Sequence, residues 1–183
     1  MGISSNRTRI LDETQPQNHT SAKTSINSTK VPAVFKKVSW VAGTKNIDWG
    51  GGKYDTATEY LKTVGVDNYI YDPYNRDKAH NLNTLKGIPF DTATCSNVLN
   101  VIDSDYQREL LIACVAGSLK DGGVAYFSVY EGDKSGVMKT DDKRDSCQLN
   151  RRLKDYLPEI KKIFGDEAVT MKHGIIIAIK GGK

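Results

Sequence analysis

An acidic residue opens a run of glycines between a predicted strand and a predicted helix. Asp48-Trp49-Gly50-Gly51-Gly52 follows a short apolar segment and precedes a helical pattern over 56–64. Glycines at such a turn permit a tight bend and let a ligand approach the backbone closely. Asp72 ends the next predicted strand, where a carboxylate can accept hydrogen bonds from both hydroxyls of a ribose. The pair indicates a nucleoside-binding site, although the turn alone is equally typical of a tight structural loop.

The glycine pattern narrows the class of nucleoside. The chain has no Gly-x-x-x-x-Gly-Lys-Ser/Thr run, which excludes a P-loop nucleotide site. Gly50 and Gly52 lack the third glycine that dinucleotide-binding turns favour, so the glycines leave that alternative open. Asp48 favours another ligand, because its carboxylate would repel a pyrophosphate and attract a cationic amino-acid group.

Strand and helix patterns alternate around these residues. Apolar segments predict strands at 46–49, 68–72, 90–99 and 124–130, and helical spacing predicts helices at 56–64, 105–119 and 149–164. A hairpin over 168–179 closes the chain, 75–87 is a polar stretch, and 131–146 is predicted to be a charged loop. The alternation predicts an α/β fold with a single doubly wound, mostly parallel seven-stranded sheet, flanked by helices and ending in a C-terminal antiparallel hairpin.

Composition predicts one domain with a polar, basic lead. The chain has 183 residues, of which 38% are hydrophobic, enough for one core. Residues 1–40 are predicted to be a lid or a disordered segment, and 41–183 the ligand-binding domain. Residues 1–46 carry seven Lys or Arg against two acidic residues, within a net charge of +4. That basic lead could contact an anionic substrate or nucleic acid.

Several classes of partner and location are not expected. No apolar run approaches the roughly 20 residues that span a bilayer, so no membrane partner is predicted. The apolar core of a secretory signal is missing at the N-terminus, and the three cysteines are widely spaced, which favours a cytoplasmic location. Neither the cysteines nor the three histidines show a metal-binding spacing, so no metal site is expected.

At this point the chain resembles the class I S-adenosylmethionine (SAM)-dependent methyltransferase family. Asp48 to Gly52 is similar to the family's Asp/Glu-x-Gly-x-Gly-x-Gly motif, with Tyr54 in place of the last glycine. Asp72 matches the ribose-binding acid, and Phe90-Asp91 with Val98-Leu99 matches the family's fourth strand. Leu119-Lys120-Asp121-Gly122-Gly123 is similar to the turn before the fifth strand, and the resemblance covers about residues 44–181.

The resemblance implies a cofactor, SAM, and a set of residues that bind it. Gly50 and Gly52 would pass under the cofactor, Asp48 would face its methionine end and Asp72 its ribose. The pair Asn81-Leu82 would lie against the adenine, with Asn83 an equal rival to Asn81. Asn97 would face the donor methyl group.

The implied activity is methyl transfer to an unidentified acceptor, either a small molecule or a nucleic acid. No catalytic residue is indicated, because methyl transfer needs an aligned donor and acceptor in a water-poor pocket more than a strong base. Two other functions use the same cofactor pocket: a SAM-cleaving lyase or hydrolase, and a non-catalytic SAM-binding partner subunit. A nicotinamide oxidoreductase is the weakest alternative.

Overall fold

The computed structural model describes residues 17–24 and 30–182, which form eight strands and five α-helices. The strands are β1 (Lys45–Trp49), β2 (Asp67–Tyr71), β3 (Phe90–Ser96), β4 (Leu119–Ser128), β5 (Met138–Asp141), β6 (Ser146–Leu149), β7 (Val169–Lys172) and β8 (Ile175–Ile179). The helices are α1 (Ala33–Lys37), α2 (Thr56–Thr63), α3 (Lys78–Leu85), α4 (Asp105–Ser118) and α5 (Leu157–Phe164).

Six of these strands make the main sheet, in the order β2-β1-β3-β4-β8-β7. The first four are mutually parallel, while β8 pairs antiparallel with both β4 and β7. Helices connect the parallel strands, as parallel pairing requires. Strands β5 and β6 form a separate antiparallel hairpin.

The two faces of the sheet bury different helices. Phe127 and Tyr126 are neighbours on β4, so their side chains point to opposite faces. Phe127 lies in the larger core with α4 and α5, whereas Tyr126 packs against the smaller core formed with α1 and α2. Helices on both faces explain why buried residues occur at consecutive positions of β1 and β3.

This architecture confirms the α/β fold and the C-terminal hairpin predicted from the sequence. The main sheet has six strands in the described residues, so the predicted count of seven is wrong. The chain between β2 and β3 forms α3 and loops, without a further strand at the β2 edge. The polar stretch 75–87 contains α3, and the segment predicted to be a loop, 131–146, contains β5 and the first residue of β6.

The described helices are short. Helix α4 has 14 residues and is capped at its N-terminus by Ser104, whose side chain accepts a hydrogen bond from the Gln107 backbone N–H. Within the described ranges, none of the helices has the length and apolar character needed to cross a membrane.

Candidate functional site

The carboxyl ends of β1 to β4 border a cavity of about 510 Å³. Asp48 and Gly50 reach it from β1 and the following turn, and Asp72 follows β2. Asn97 follows β3, and Tyr130 follows β4. Loops beyond the carboxyl ends of parallel strands form the ligand crevice of open α/β sheets. The sheet therefore brings four distant segments of the chain to one site.

The glycine turn is shaped by close contacts. Gly50 has φ +72° and donates its N–H to the Tyr71 carbonyl at 2.7 Å. A Cβ at Gly50 would lie 2.4 Å from Cγ2 of Val98, and a Cβ at Gly51 would lie 2.6 Å from Oδ2 of Asp48. Both positions require glycine, because any side chain would clash with a wall of the cavity.

Asp48 is a buried carboxyl group at the floor of the cavity. Its side chain accepts a hydrogen bond from Thr94 Oγ1 at 2.8 Å, and Thr94 in turn accepts from Asn46 Nδ2 at 3.1 Å. Burial raises the pKa of Asp48 from 3.8 to about 7, and the Thr94 hydrogen bond only partly offsets that rise. Asp48 can therefore exchange its proton for a cationic ligand group near neutral pH.

Asp72 is held by the backbone around it. Its Oδ2 accepts the Gly52 N–H at 2.9 Å, and its Oδ1 accepts the N–H groups of Tyr74 and Asn75 at 3.0 and 2.9 Å. The side-chain nitrogen Nδ2 of Asn75 also lies 3.3 and 3.4 Å from the two oxygens of this carboxylate. The carboxylate thus connects the glycine turn to the loop after β2. A ribose would have to displace the weak side-chain contact of Asn75 before its hydroxyls could donate hydrogen bonds to both carboxylate oxygens.

Asn97 adopts an uncommon backbone conformation beside the cavity. Its φ is +58°, and its N–H donates to the Ser128 carbonyl at 2.8 Å. Left-handed non-glycine residues are infrequent and cluster at functional sites. The turn directs the chain after β3 into the lining, where Asn97, Val98 and Asn100 lie.

Three of the residues predicted to bind the cofactor lie outside the cavity lining. Asn81 accepts the Asp72 N–H at 3.0 Å and donates to the Asp72 carbonyl at 2.9 Å, so it secures the end of β2. Leu82 is 39% exposed on α3, and its rival Asn83 is exposed on the same helix. The Gly52 N–H donates a hydrogen bond to Asp72, and the Gly52 carbonyl accepts one from Arg76 Nε at 2.8 Å. Their cofactor contacts stay predictions.

The described part of the N-terminal lead, residues 17–24, forms one wall of the cavity and is called the strap below. Gln17, Thr20, Ser21, Ala22 and Thr24 line the cavity, and Pro32 and Phe35 join them after the gap in the described residues. Of the lead predicted over 1–40 to be a lid or a disordered segment, residues 1–16 and 25–29 lie outside the described chain. Whether the lead acts as a lid stays a prediction.

Acidic residues of two loops anchor the strap. Thr20 N–H donates to Oδ1 of Asp145 at 3.1 Å, and the Cys147 N–H donates to Ser21 Oγ at 3.1 Å. His19 lies between Asp103 and Asp142, with one ring nitrogen 2.9 Å from each carboxylate. Hydrogen bonds to Asp142 and Asp103 raise the pKa of His19. These contacts hold the strap without using its lysine.

The cavity lining is acidic and otherwise neutral. Among the described residues that line it, Asp48 and Asp72 are the charged ones, and no Lys or Arg is present. Asn100 is 2% exposed, and its Oδ1 has no hydrogen-bond partner in the described structure. The site therefore suits a ligand that carries positive charge and a hydrogen-bond donor.

Sequence reasoning missed part of this lining. The cavity is also lined by five residues from five different segments, namely Tyr74, Val98, Leu111, Tyr130 and Gln148. The sequence indicated Val98 only as part of the fourth-strand match, and only the assembled sheet and hairpin could identify these five residues as part of the lining.

Neither a protein-family sequence model nor a curated protein sequence matches this chain. Solved structures do match it. A Burkholderia thailandensis 1,6-didemethyltoxoflavin-N1-methyltransferase, solved with 1,6-didemethyltoxoflavin and S-adenosylhomocysteine (SAH), is 15% identical, with a TM-score of 0.58 over 77% of this chain and 72% of that chain.

Two further structures share this likeness. A sugar N-methyltransferase from a Streptoalloteichus species is 10% identical, with a TM-score of 0.55 over 100% of this chain and 99% of that chain. A Haemonchus contortus phosphoethanolamine N-methyltransferase 2, solved with SAM, is 17% identical, with a TM-score of 0.51 over 75% of this chain and 38% of that chain. At sequence identities this low, structural similarity shows the fold alone. The chain has the fold of the class I SAM-dependent methyltransferases.

Proposed function

We propose that this protein binds SAM in the cavity at the carboxyl ends of β1 to β4 and transfers its methyl group to an acceptor. The observation that carries the proposal is the charge of the lining, in which two aspartates occur and no described Lys or Arg. SAM carries a sulfonium and an ammonium group, whereas a dinucleotide brings an anionic pyrophosphate that this lining would repel.

The positions of the two aspartates support one orientation of the cofactor. Asp48, at the end of β1, would accept the ammonium of the methionine part, and Asp72, at the end of β2, would face the ribose. Asn97 would then stand beside the donor methyl group, at the carboxyl end of the next strand in the sheet. This assignment retains the roles that the family resemblance implies for the residues that line the cavity.

Methyl transfer requires the protein to align donor and acceptor and to exclude water, and little else. SAM would supply a methyl group bound to a sulfonium, and Asp48, Asp72 and Asn97 would hold the cofactor so that this group faces the acceptor. An acceptor that bears an N–H or O–H group would release its proton to solvent. The strap would contribute by covering the reactants, because a closed site holds donor and acceptor in line and keeps water out. A wall built by the strap favours a small-molecule acceptor over a nucleic-acid duplex.

The unpartnered Oδ1 of Asn100 supports an acceptor that bears an N–H or O–H group. Nδ2 of Asn100 already donates to Gln148 Oε1 at 2.9 Å, which leaves Oδ1 to receive a donor. A buried carbonyl oxygen without a partner costs about 1–3 kcal/mol, and a ligand donor would recover that cost.

Calorimetric titration of the purified chain with SAM, SAH and NAD tests the proposal. We expect SAM and SAH to bind and NAD not to bind; NAD binding without a response to SAM would refute it. Incubation with SAM alone then separates methyl transfer from cleavage, since a lyase or hydrolase consumes SAM without an acceptor. Acceptor pools of small amines, small hydroxyl compounds and nucleic acids, assayed with methyl-labelled SAM, separate an enzyme from a binding subunit.

A further inference from the structure

A mixed cluster of metal-ligating side chains lies beside the strap, outside the residues assigned to the cofactor. A ring nitrogen of His19, a carboxylate oxygen of Asp103 and Sγ of Cys147 lie within 4.8 Å of one another. They come from the strap, from the loop before α4 and from β6. Fold assembly brings them together, because 84 residues separate His19 from Asp103.

The three atoms match the preferences of one kind of cation. Imidazole nitrogen, thiolate sulfur and carboxylate oxygen are the three ligand types of protein-bound zinc, with bonds of about 2.0–2.3 Å. Tetrahedral geometry at those bond lengths separates neighbouring ligand atoms by about 3.4–3.6 Å. Nδ1 of His19 and Oδ2 of Asp103 are 2.9 Å apart, so a zinc ion requires an adjustment of less than about 1 Å at this pair.

The surroundings supply the outer contact that zinc-bound histidine usually has. Nε2 of His19 lies 2.9 Å from Oδ1 of Asp142, and such a carboxylate accepts the second ring N–H and orients the imidazole. Within the described chain, His19 is the ion-pair partner of both Asp103 and Asp142, and neither carboxylate pairs with a lysine or an arginine. Two carboxylates around one imidazole leave an excess of negative charge.

We propose that His19, Asp103 and Cys147 bind one Zn²⁺ ion that fastens the strap over the cavity. The thiol of Cys147 loses its proton to solvent and the thiolate binds the metal. His19 binds through Nδ1 while Nε2 donates its hydrogen to Asp142, and a water molecule supplies the fourth ligand. The role is structural, because the neighbouring Thr20 and Ser21 line the cavity and the metal would hold them there.

Cobalt substitution tests the site directly on the full chain. Chelator-treated protein titrated with Co²⁺ should gain a thiolate-to-cobalt charge-transfer absorption that saturates at one metal per chain, and Zn²⁺ should abolish it. H19A and C147S should each lose the absorption, with affinity weakened by at least about 100-fold, whereas D142N should weaken it by about 10–100-fold. H173A and C114S are matched controls at a turn and on α4, and both should bind as the original chain does.

Two outcomes would overturn the proposal: no charge-transfer absorption in the original chain, or unchanged absorption in H19A. A second measurement needs no variant. Trypsin cleavage after the exposed Lys23 should slow by at least about tenfold when Zn²⁺ replaces the chelator, because local opening of the strap then requires loss of the metal. Equal cleavage rates with and without Zn²⁺ would show that no metal fastens the strap.

Discussion

Asp48 should make the binding of the proposed cofactor depend on pH. Its carboxyl group is 3% exposed, and burial raises its pKa to about 7. Below that pH the ligand-free protein holds the proton, and a cationic ammonium can bind well only after the proton leaves. The affinity for SAH should therefore be highest near pH 8, where the ligand still carries its ammonium, and should fall as the pH drops below 7.

The size of the effect follows from the pKa. If the bound ammonium keeps Asp48 ionised down to pH 5, the dissociation constant at pH 5 should be about 100-fold larger than at pH 8, or about 3 kcal/mol weaker. At pH 6, about 0.9 proton should be released per SAH bound. Calorimetry in two buffers of different ionisation enthalpy measures that number directly.

The stability of the ligand-free protein should change in the opposite direction. A carboxyl group whose pKa rises on folding contributes stability that is complete below its unfolded pKa of 3.8 and is lost as the pH rises through 7. Relative to D48N, the original chain should lose up to about 4 kcal/mol of unfolding free energy between pH 4 and pH 8. D48N is the matched control, because its amide cannot ionise in this range.

The same variant should bind SAH more weakly at pH 8 and should show no steep pH dependence. A flat affinity profile for the original chain, together with no proton release at pH 6, would refute the assignment of Asp48 as the ammonium site. A steep profile that persists in D48N would assign the titration to another group.

Three further perturbations address the turn, the ribose site and the strap. G50A should lose most SAH binding because its Cβ would meet Val98 at 2.4 Å; G122A shares the positive φ (+75°) with open space around it and should bind normally, so equal binding by both variants would exclude the steric explanation. D72A should weaken SAH binding by about 30-fold and also lower the melting temperature by roughly 5–10 °C, because three backbone N–H groups lose their acceptor; an unchanged dissociation constant in the folded variant would limit Asp72 to a structural role. Deletion of residues 1–28 should leave a protein that is folded by circular dichroism, binds SAH more weakly by calorimetry and transfers the label of methyl-labelled SAM poorly. Unaltered binding and turnover would show that the strap is no lid.

The sequence predicted those parts of the fold that depend on local patterns. Strands β1 to β4, α2, α4 and the terminal hairpin all carry apolar residues at the spacing of their own element. The glycine turn was recognisable because few residue types tolerate its backbone. Asp72 was predicted as a site residue from its place at a strand end, but its hydrogen bonds to Gly52 and the loop after β2 depend on the assembled turn.

Elements without an apolar pattern were missed. Helix α3 buries Asn81 and Thr84, two polar residues, so its sequence looks like a loop. The hairpin of β5 and β6 is hidden in a charged segment for a similar reason, since three of the four β5 residues are polar or charged. Each element is stabilised by contacts with distant residues, and such contacts leave no trace in local spacing.

The charge of the ligand site was also not predictable from the sequence. The chain is basic overall, and its N-terminal lead suggested an anionic partner. Yet the described strap meets three aspartates, Asp103, Asp142 and Asp145, through a histidine ring, a hydroxyl and backbone N–H groups. The cavity beneath it exposes aspartates and no described lysine or arginine. Net charge sums over the whole surface, whereas ligand choice depends on the few groups that are desolvated around the ligand. A basic protein can therefore contain a site for a cation, and the acidic anchors of the strap extend that negative character to the proposed metal site.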